Sequence, residues 1–555
     1  MSQYAIGLDY GTNSVRGLLV DVRTGEEIAT SVFPYPHGQA GILLDPRDPD
    51  LARQHPQDYL DGALAVITEV LRQAASRPGF APGQVIGLGV DTTGSTPIPV
   101  DANGTSLALT PRFAGSLSAM AWLWKDHTGH AEAAEITALA EQIRPQYLAK
   151  CGGTYSAEWY WAKVFRCLRA DPDVFDAAHT WVEHADWLPA VLTGETRPEI
   201  LKRGICAAGH KAMFHPGWGG YPDEEFLGRL DPRLVRLRRT LPDRAFHVGE
   251  ATGGLSEKWA EKTGLAAGIP VSVGAFDAHL GGVGSGIQPH VLVKNIGTST
   301  CDMMVAPLDA DPGDIPGLCG IVPESILPGF YGLEAGQSAV GDIFNWFVNG
   351  IQPAGQGHEA LTEGASQLQP GESGLLALDW HNGNRTVLVD QRLTGAVLGL
   401  TLQTTPAELY RAWIEATAFG SRVIMERFEE YGQTVESIIN CGGISVKNPL
   451  VMQIYADIMG RPLAISRSAQ TAALGAAIAG AVAAGAFASF AEATDAMTAL
   501  HPRVFQPDPT RRRVYDRLYA LYRRVHDAFG VRGTHDDLSD VMKELLTIRD
   551  EVRHV

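Results

Sequence analysis

Three short turns in this chain carry residues suited to holding an anion. The first, Asp9-Tyr10-Gly11-Thr12-Asn13-Ser14, lies between the apolar runs Tyr4–Leu8 and Val15–Val20. Glycine lets backbone approach a ligand closely, and successive N–H groups with hydroxyls can cradle phosphate. Asp9, at the end of its run, can hold a metal through water, since Mg²⁺ takes one or two carboxylates and keeps several waters. The second turn, Gly297-Thr298-Ser299-Thr300, repeats the arrangement between Val291–Ile296 and Asp302–Val305. The third, Cys441-Gly442-Gly443-Ile444 with Asn448 after it, closes a strand at a helix start and suits a flat adenosine laid on backbone. Each also reads as an ordinary polar turn or strand-to-helix loop. Asp277 follows an apolar strand and precedes the Gly-rich stretch 281–286. On residue type alone it is equally a helix N-cap or a general base.

These turns need strands to hold them. Hydrophobic alternation predicts hairpins at 4–20 and 291–305, half a chain apart, which points to two related halves rather than a short-period solenoid. Further strands are expected at Val85–Val90, Val271–Ala275, Arg385–Val389 and Ser437–Cys441. Helical spacing covers Ala407–Tyr431, Pro449–Met459, Thr471–Ala486 and Thr510–Phe529. The small residues of 471–486 would let that helix pack tightly on a sheet or ligand loop. Strands and helices alternate, which gives an α/β fold. The boundary is expected near Pro289, dividing the chain into 1–288 and 289–555. The Gly-, Gln- and Pro-rich region 352–373 reads as a surface excursion.

Composition narrows the function. The 555 residues carry 45 Lys+Arg against 63 Asp+Glu, a net charge of −18, which repels a phosphate backbone and argues against a nucleic-acid partner. No run of 18 apolar residues is present, and the N-terminus lacks a basic-then-apolar signal, so no membrane association is expected. Six scattered cysteines without a CxxC suggest a reduced, cytoplasmic protein. There is no GxxxxGK[ST], no GxGxxG opening a helix, no GxSxG, no HExxH and no kinase HRD set. Any nucleotide chemistry therefore uses another scaffold.

Taken together, the turns resemble those of the FGGY carbohydrate kinases, within the actin-like ATPase superfamily. Gly395-Ala396-Val397-Leu398-Gly399-Leu400 with Glu408, Leu409, Ala412 and Glu415 is similar to the family's C-terminal signature, from which Trp413 departs. Lys163 lies in the region of the N-terminal one. The strings Trp124-Lys125-Asp126-His127-Thr128, Ser156-Ala157-Glu158-Trp159, Ala208-Gly209-His210-Lys211, Gly274-Ala275-Phe276-Asp277-Ala278-His279, Ile296–Asp302 and Gly332–Ser338 are most similar to those of the family's bacterial L-ribulokinase branch.

The resemblance implies two actin-like (ribonuclease H-like) domains with an ATP cleft between them. It implies Asp277 as the base that takes the proton of a sugar hydroxyl, and Gly94, Lys211, Asp277 and Glu334 around the sugar. Gly11, Thr12, Asn13, Ser14, Gly297 and Thr298 would surround the ATP phosphates, Gly442, Gly443 and Asn448 would border the adenosine, and Asp9 would support Mg²⁺. His279 and Gln337 read either as residues behind the sugar site or as satisfied buried polar groups; most of the Trp between 122 and 218 read as core, with Trp124 or Trp159 the candidate against the sugar. The expected reaction is phosphorylation of L-ribulose to L-ribulose 5-phosphate in L-arabinose catabolism. A kinase for D-ribulose, xylulose or ribitol is the near alternative. A non-metabolic actin-like ATPase or a sugar-binding regulator is the distant one. A homodimer is left open, as is the role of the helices beyond Phe505.

Overall fold

A computed structural model describes residues 2–351 and 355–554. The first hairpin forms as expected: β1 (Tyr4–Tyr10) pairs antiparallel with β2 (Ser14–Asp21), and β2 with β3 (Glu27–Pro34). On its other side β1 pairs in parallel with β4 (Val85–Thr92), which pairs in parallel with β5 (Pro270–Ser272) and β6 (Ala275–Phe276).

The second half repeats this order. There β7 (Val291–Ile296) pairs antiparallel with β8 (Thr300–Pro307), and β8 with β10 (Phe330–Ala335), flanked by β9 (Gly320–Pro323). Beyond β7 run the parallel strands β11 (Ser437–Cys441) and β12 (Leu463–Ile465). Each half is thus an antiparallel meander extended by parallel strands. In both, the turn between the first two strands stands at the carboxyl end of the first, beside the ends of its parallel neighbours. Ligands of α/β sheets bind at that edge.

The halves are joined by one apolar core. Ala5, Leu18 and Val20 of the first sheet pack with Val293 and Met303 of the second, and with Leu280, Val283, Leu474 and Ile478 on the helices between. These helices are α3 (Asp277–Gly284) and α7 (Thr471–Ala483). The small residues of α7 bring backbones into contact: a Cβ on Gly7 or Gly89 would lie 1.8 Å from the carbonyl oxygen of Ala473 or Ala476. A separate helical core, rich in Trp and Tyr, fills the region around α1 (Tyr160–Ala170) and α2 (Ile205–Ala212).

Several expectations are corrected. Arg385–Val389 is not a strand. Val387 and Val389 hold φ of 83° and 51°, which no ladder accommodates, and the segment is a loop closed by backbone bonds between Asn384 and Asp390. The region 352–373 is not wholly an excursion: residues 352–354 lie outside the described residues, but α4 (His358–Gln367) buries Leu361 and Ala365 in the second core. The helices α5 (Pro406–Glu430) and α6 (Pro449–Met459) form within a residue of their expected bounds. Beyond Phe505, α8 (Pro509–Gly530) and α9 (Val541–Arg553) pack on the second half through Tyr515, Leu518, Tyr522, Leu545 and Ile548.

Candidate active site

The parallel register aligns three carboxylates at one sheet edge. Asp9 ends β1 opposite Asp91 of β4, and Asp91 stands opposite Ala275 of β6, two residues before Asp277. Asp277 is the first residue of α3 rather than its cap; Phe276 occupies the cap position. The N–H of Ala278 donates to Asp277 Oδ1 at 2.6 Å. Burial, and then Asp9, push the Asp277 carboxyl up to about 7. Asp91 is fully buried and neither of its oxygens has a hydrogen-bond partner among the described residues. Burial, then the charges of Asp9 and Asp277, hold its carboxyl well above the usual range. Burial also raises Asp9, against the pull of Arg16, whose Nη1 is 3.4 Å from Asp9 Oδ2.

Asp9 and Asp91, side by side on adjacent strands, fit a divalent cation that takes one or two carboxylates and keeps its waters. Asp9 would hold Mg²⁺ there with Asp91 behind it. Asp91 was not singled out in the sequence. The signal was present: it closes an apolar strand as Asp9 does, three residues before Gly94.

The first hairpin turn lies at this edge, and the second stands at the matching end of the other sheet. In the first, Gly11 N–H donates to Ser14 O at 3.0 Å, Gln54 Nε2 donates to Thr12 O at 2.7 Å, and Asn13 Nδ2 donates to Ala40 O at 2.6 Å. Trp124 Nε1–H donates to Thr12 Oγ1 at 3.0 Å, so this ring serves the turn. In the second, Gly297 and Thr298 are exposed, and Thr298 O accepts from the N–H groups of Val340 and Asp342. Gly442, at φ 93°, tucks against Ile296 O, where a Cβ would come within 2.4 Å. A Cβ on Gly443 would meet nothing within 4 Å, leaving room for a flat ring. Asn448 caps α6 through Oδ1 and donates from Nδ2 to Thr362 Oγ1 at 3.2 Å.

Lys211 and Glu334 come together from opposite halves. Lys211, on α2, places Nζ 2.9 and 3.2 Å from the two oxygens of Glu334 on β10. Burial disfavours both charges, yet each outweighs that for the other: Lys211 is raised, and Glu334, helped by His210 and His279, is held well below its ordinary value. His210 Nδ1 and His279 Nε2 lie 3.1 and 3.4 Å from Glu334 Oε2, and the two rings stack 4.4 Å apart. Burial lowers His210 to about 4, whereas His279, resisting burial through Cys206 and Glu334, rises to about 10. The docking is close: a Cβ on Gly320 would sit 2.0 Å from His210 Nδ1.

Around this pair, Trp159 lies 5.3 Å from Lys211 Nζ and Phe276 lies 5.9 Å from it. Gly94 packs on Phe276 so tightly that a Cβ would fall 1.9 Å from the ring. Lys163 Nζ, fully buried, donates to Ser95 O and Leu123 O at 2.7 Å and so ties the Gly94 turn to the Trp124 segment. Gln337 is spent within the second half, donating to Asp379 Oδ2 and Thr417 O. Of the seven Trp between 122 and 218, Trp122, Trp161, Trp181 and Trp187 are core residues.

Comparison with known proteins agrees with this arrangement. Residues 4–284 match the N-terminal domain, and residues 292–484 the C-terminal domain, of the FGGY family of carbohydrate kinases. A ribulokinase of Shouchella clausii is 41% identical over 100% of this chain and 99% of its own. One of Vibrio parahaemolyticus is 42% identical over 94% and 95%. The fold is similar to that of a gluconate kinase from Lactobacillus acidophilus (TM-score 0.79, 20% identity, 96% of this chain and 99% of that one). It is similar also to a Plasmodium falciparum glycerol kinase crystallised with ADP (TM-score 0.74, 15% identity, 94% and 98%). Two repeated sheets, carboxylates at the edge of the first and a sequence matched across both domains make this chain a member of the FGGY family of carbohydrate kinases.

Proposed function

We propose that this enzyme transfers the γ-phosphoryl group of ATP to the 5-hydroxyl of L-ribulose, in the breakdown of L-arabinose. The observation that carries the reading is the meeting of Lys211 and Glu334 beside Asp277, in a chain whose full-length relatives are named ribulokinases. Lys211 donates to sugar oxygens and Glu334 accepts from sugar hydroxyls. The Gly94 turn lines the pocket with backbone, and Trp159 offers an apolar face. In transfer, the 5-hydroxyl gives its proton to the Asp277 carboxylate, the O5–phosphorus bond forms, and the bond from the γ-phosphorus to the bridging oxygen breaks, releasing ADP. Phosphoryl transfer is loose in its transition state, so most of the catalysis is positioning and charge neutralisation.

Gly11, Thr12, Asn13, Ser14, Gly297 and Thr298 hold the phosphates in this reading, and Gly442, Gly443 and Asn448 border the adenosine. Mg²⁺ at Asp9 would neutralise phosphate charge. The domains divide at 288/289, with the sugar and base on the first and most adenosine contacts on the second. Closure of the two on sugar limits hydrolysis of ATP by water. The cytoplasm, with its ATP and reducing conditions, is the compartment assigned. Among the described residues no helix is long and apolar enough to cross a membrane.

Phosphorus NMR of the product from L-ribulose and Mg-ATP tests the assignment. A single phosphomonoester coupled to the C5 methylene protons is expected. A phosphate on C1, or none, would refute it.

A further inference from the structure

Arg385 sits in the loop that replaces the expected strand. That loop is built rather than loose. Asn384 and Asp390 exchange two backbone bonds of 2.9 Å, Gly336 N–H donates to Thr386 Oγ1 at 2.9 Å, and Val387 N–H donates to Gly317 O at 3.0 Å. Val387 and Val389 are held at positive φ, a cost for β-branched residues that persists only where surrounding contacts impose it, often at ligand clamps. The result is a half-buried guanidinium that makes no hydrogen bond and no ion pair among the described residues. An arginine carries five donors in a rigid fork, and leaving them unused in a half-buried place is costly.

Its surroundings define what it can bind. Thr386 anchors the loop to Gly336, two residues beyond Glu334, so Arg385 borders the Lys211–Glu334 pair. Across the cleft its strongest electrostatic neighbour is Glu158 of the first half, one residue before Trp159; the others are Cys319, Cys301 and Glu334. Glu158 contacts His127 Nε2 at 3.0 Å and forms no ion pair with Arg385 among the described residues. The loop is held by Gly317 and Gly336 of the second half, and its Val389 would stand 3.6 Å from a Cβ on Gly152 of the first. These contacts place Arg385 on the Glu334 side of the site.

We infer that Arg385 binds the carbonyl end of the sugar, at C1 and C2, and makes the enzyme prefer 2-ketoses over the corresponding polyols. This rests on the reading above, in which O5 lies at Asp277: a five-carbon chain extended from there past Lys211 and Glu334 brings its ketone toward Arg385. A planar fork donates well to a carbonyl oxygen and its neighbouring hydroxyl, whereas a pentitol offers a hydroxyl that competes as donor. Glu158 completes the end of the pocket by accepting from the terminal hydroxyl.

The test compares R385Q and R385K with the wild type on L-ribulose and ribitol, each also on D-ribulose and D-xylulose, with melting temperatures recorded. Where ribitol is not turned over, its inhibition constant takes the place of kcat/KM. Removing a charged donor to the substrate carbonyl is expected to lower kcat/KM for the ketose about 10- to 100-fold in R385Q, mostly through KM, and the ratio of ketose to ribitol by nearly as much. R385K should recover part of that ratio. An equal loss on ketose and ribitol, at any melting temperature, would overturn the inference, as would an unchanged ketose KM. The wild-type panel judges the substrate separately. If D-xylulose proves the better substrate and R385Q erases its preference over ribitol, L-ribulose is wrong and Arg385 keeps its role. If L-ribulose is preferred and R385Q leaves that ratio intact, the reverse holds.

Discussion

Lys211 Nζ and Glu334 Oε1, 123 residues apart in sequence and 2.9 Å apart in space, join a helix of the first half to a strand of the second. The pair is buried, and its second carboxylate oxygen is shared with two imidazoles. It fixes the halves relative to one another, and in the proposed reading it also presents a donor and an acceptor to sugar hydroxyls.

Removing the charge on Glu334 leaves Lys211 buried without its partner, a loss of about 3–5 kcal/mol for pairs of this kind. E334Q is expected to raise the sugar KM at least about 10-fold, the lower range for a lost charged hydrogen bond, with a smaller effect on the KM for ATP. Steady-state kinetics with each substrate varied in turn, beside a urea melt, separate binding from folding.

Asp277 must be ionised to accept a proton, and its carboxyl is pushed up to about 7. The kcat/KM for sugar is expected to fall as pH drops below about 7 and to level off above it. Stability moves the other way. A carboxyl whose folded value is raised favours the folded state below its unfolded value, near 4, and loses that contribution as pH rises through 7. D277N should therefore melt above the wild type at pH 8, with the difference closing toward pH 4, while losing turnover and retaining ATP. Near-normal turnover in D277N would remove Asp277 as the base.

The unpartnered Asp91 should make the cation matter to the fold. Mg²⁺ with ADP is expected to raise the melting temperature of the wild type more than that of D91N, and D91N without metal should melt above the wild type because a carboxyl buried beside Asp9 is gone. Thermal shift with and without Mg²⁺ reads both. Equal Mg²⁺ responses would place the cation elsewhere.

Gly475 of α7 meets Leu280 of α3 at backbone distance, where a Cβ would lie 1.8 Å from the carbonyl oxygen. Such a contact cannot yield as a side chain would. G475A is expected to cost at least about 1–3 kcal/mol, the usual range for overpacking, and to slow turnover by displacing the helix that begins with Asp277. A denaturant melt with kcat on the same preparation checks it.

Most of the frame was legible because its signals are local. Alternating apolar residues with a Gly-rich turn mark each hairpin, and the small residues of 471–483 marked a helix packed at backbone distance, here on β1 and β4. The helix at 406–430 announced itself by its spacing and by the Thr405–Glu408 capping box. What the sequence hid is what depends on register and on the meeting of the halves. Val387 and Val389 carry strand propensity, yet bonds to Gly336 and Gly317 hold the segment as a loop. Asp91 gained its meaning only when β4 was placed in register beside β1. His210 was not singled out in the sequence; its place shows only when Glu334 of the other half sets one oxygen against both it and His279.

The most direct measurement is ADP release from Mg-ATP with and without L-ribulose, beside D-ribulose, L- and D-xylulose, ribitol and glycerol. Strong stimulation is expected, with the highest kcat/KM on L-ribulose. A folded, ATP-binding protein that no sugar stimulates would contradict the proposed function.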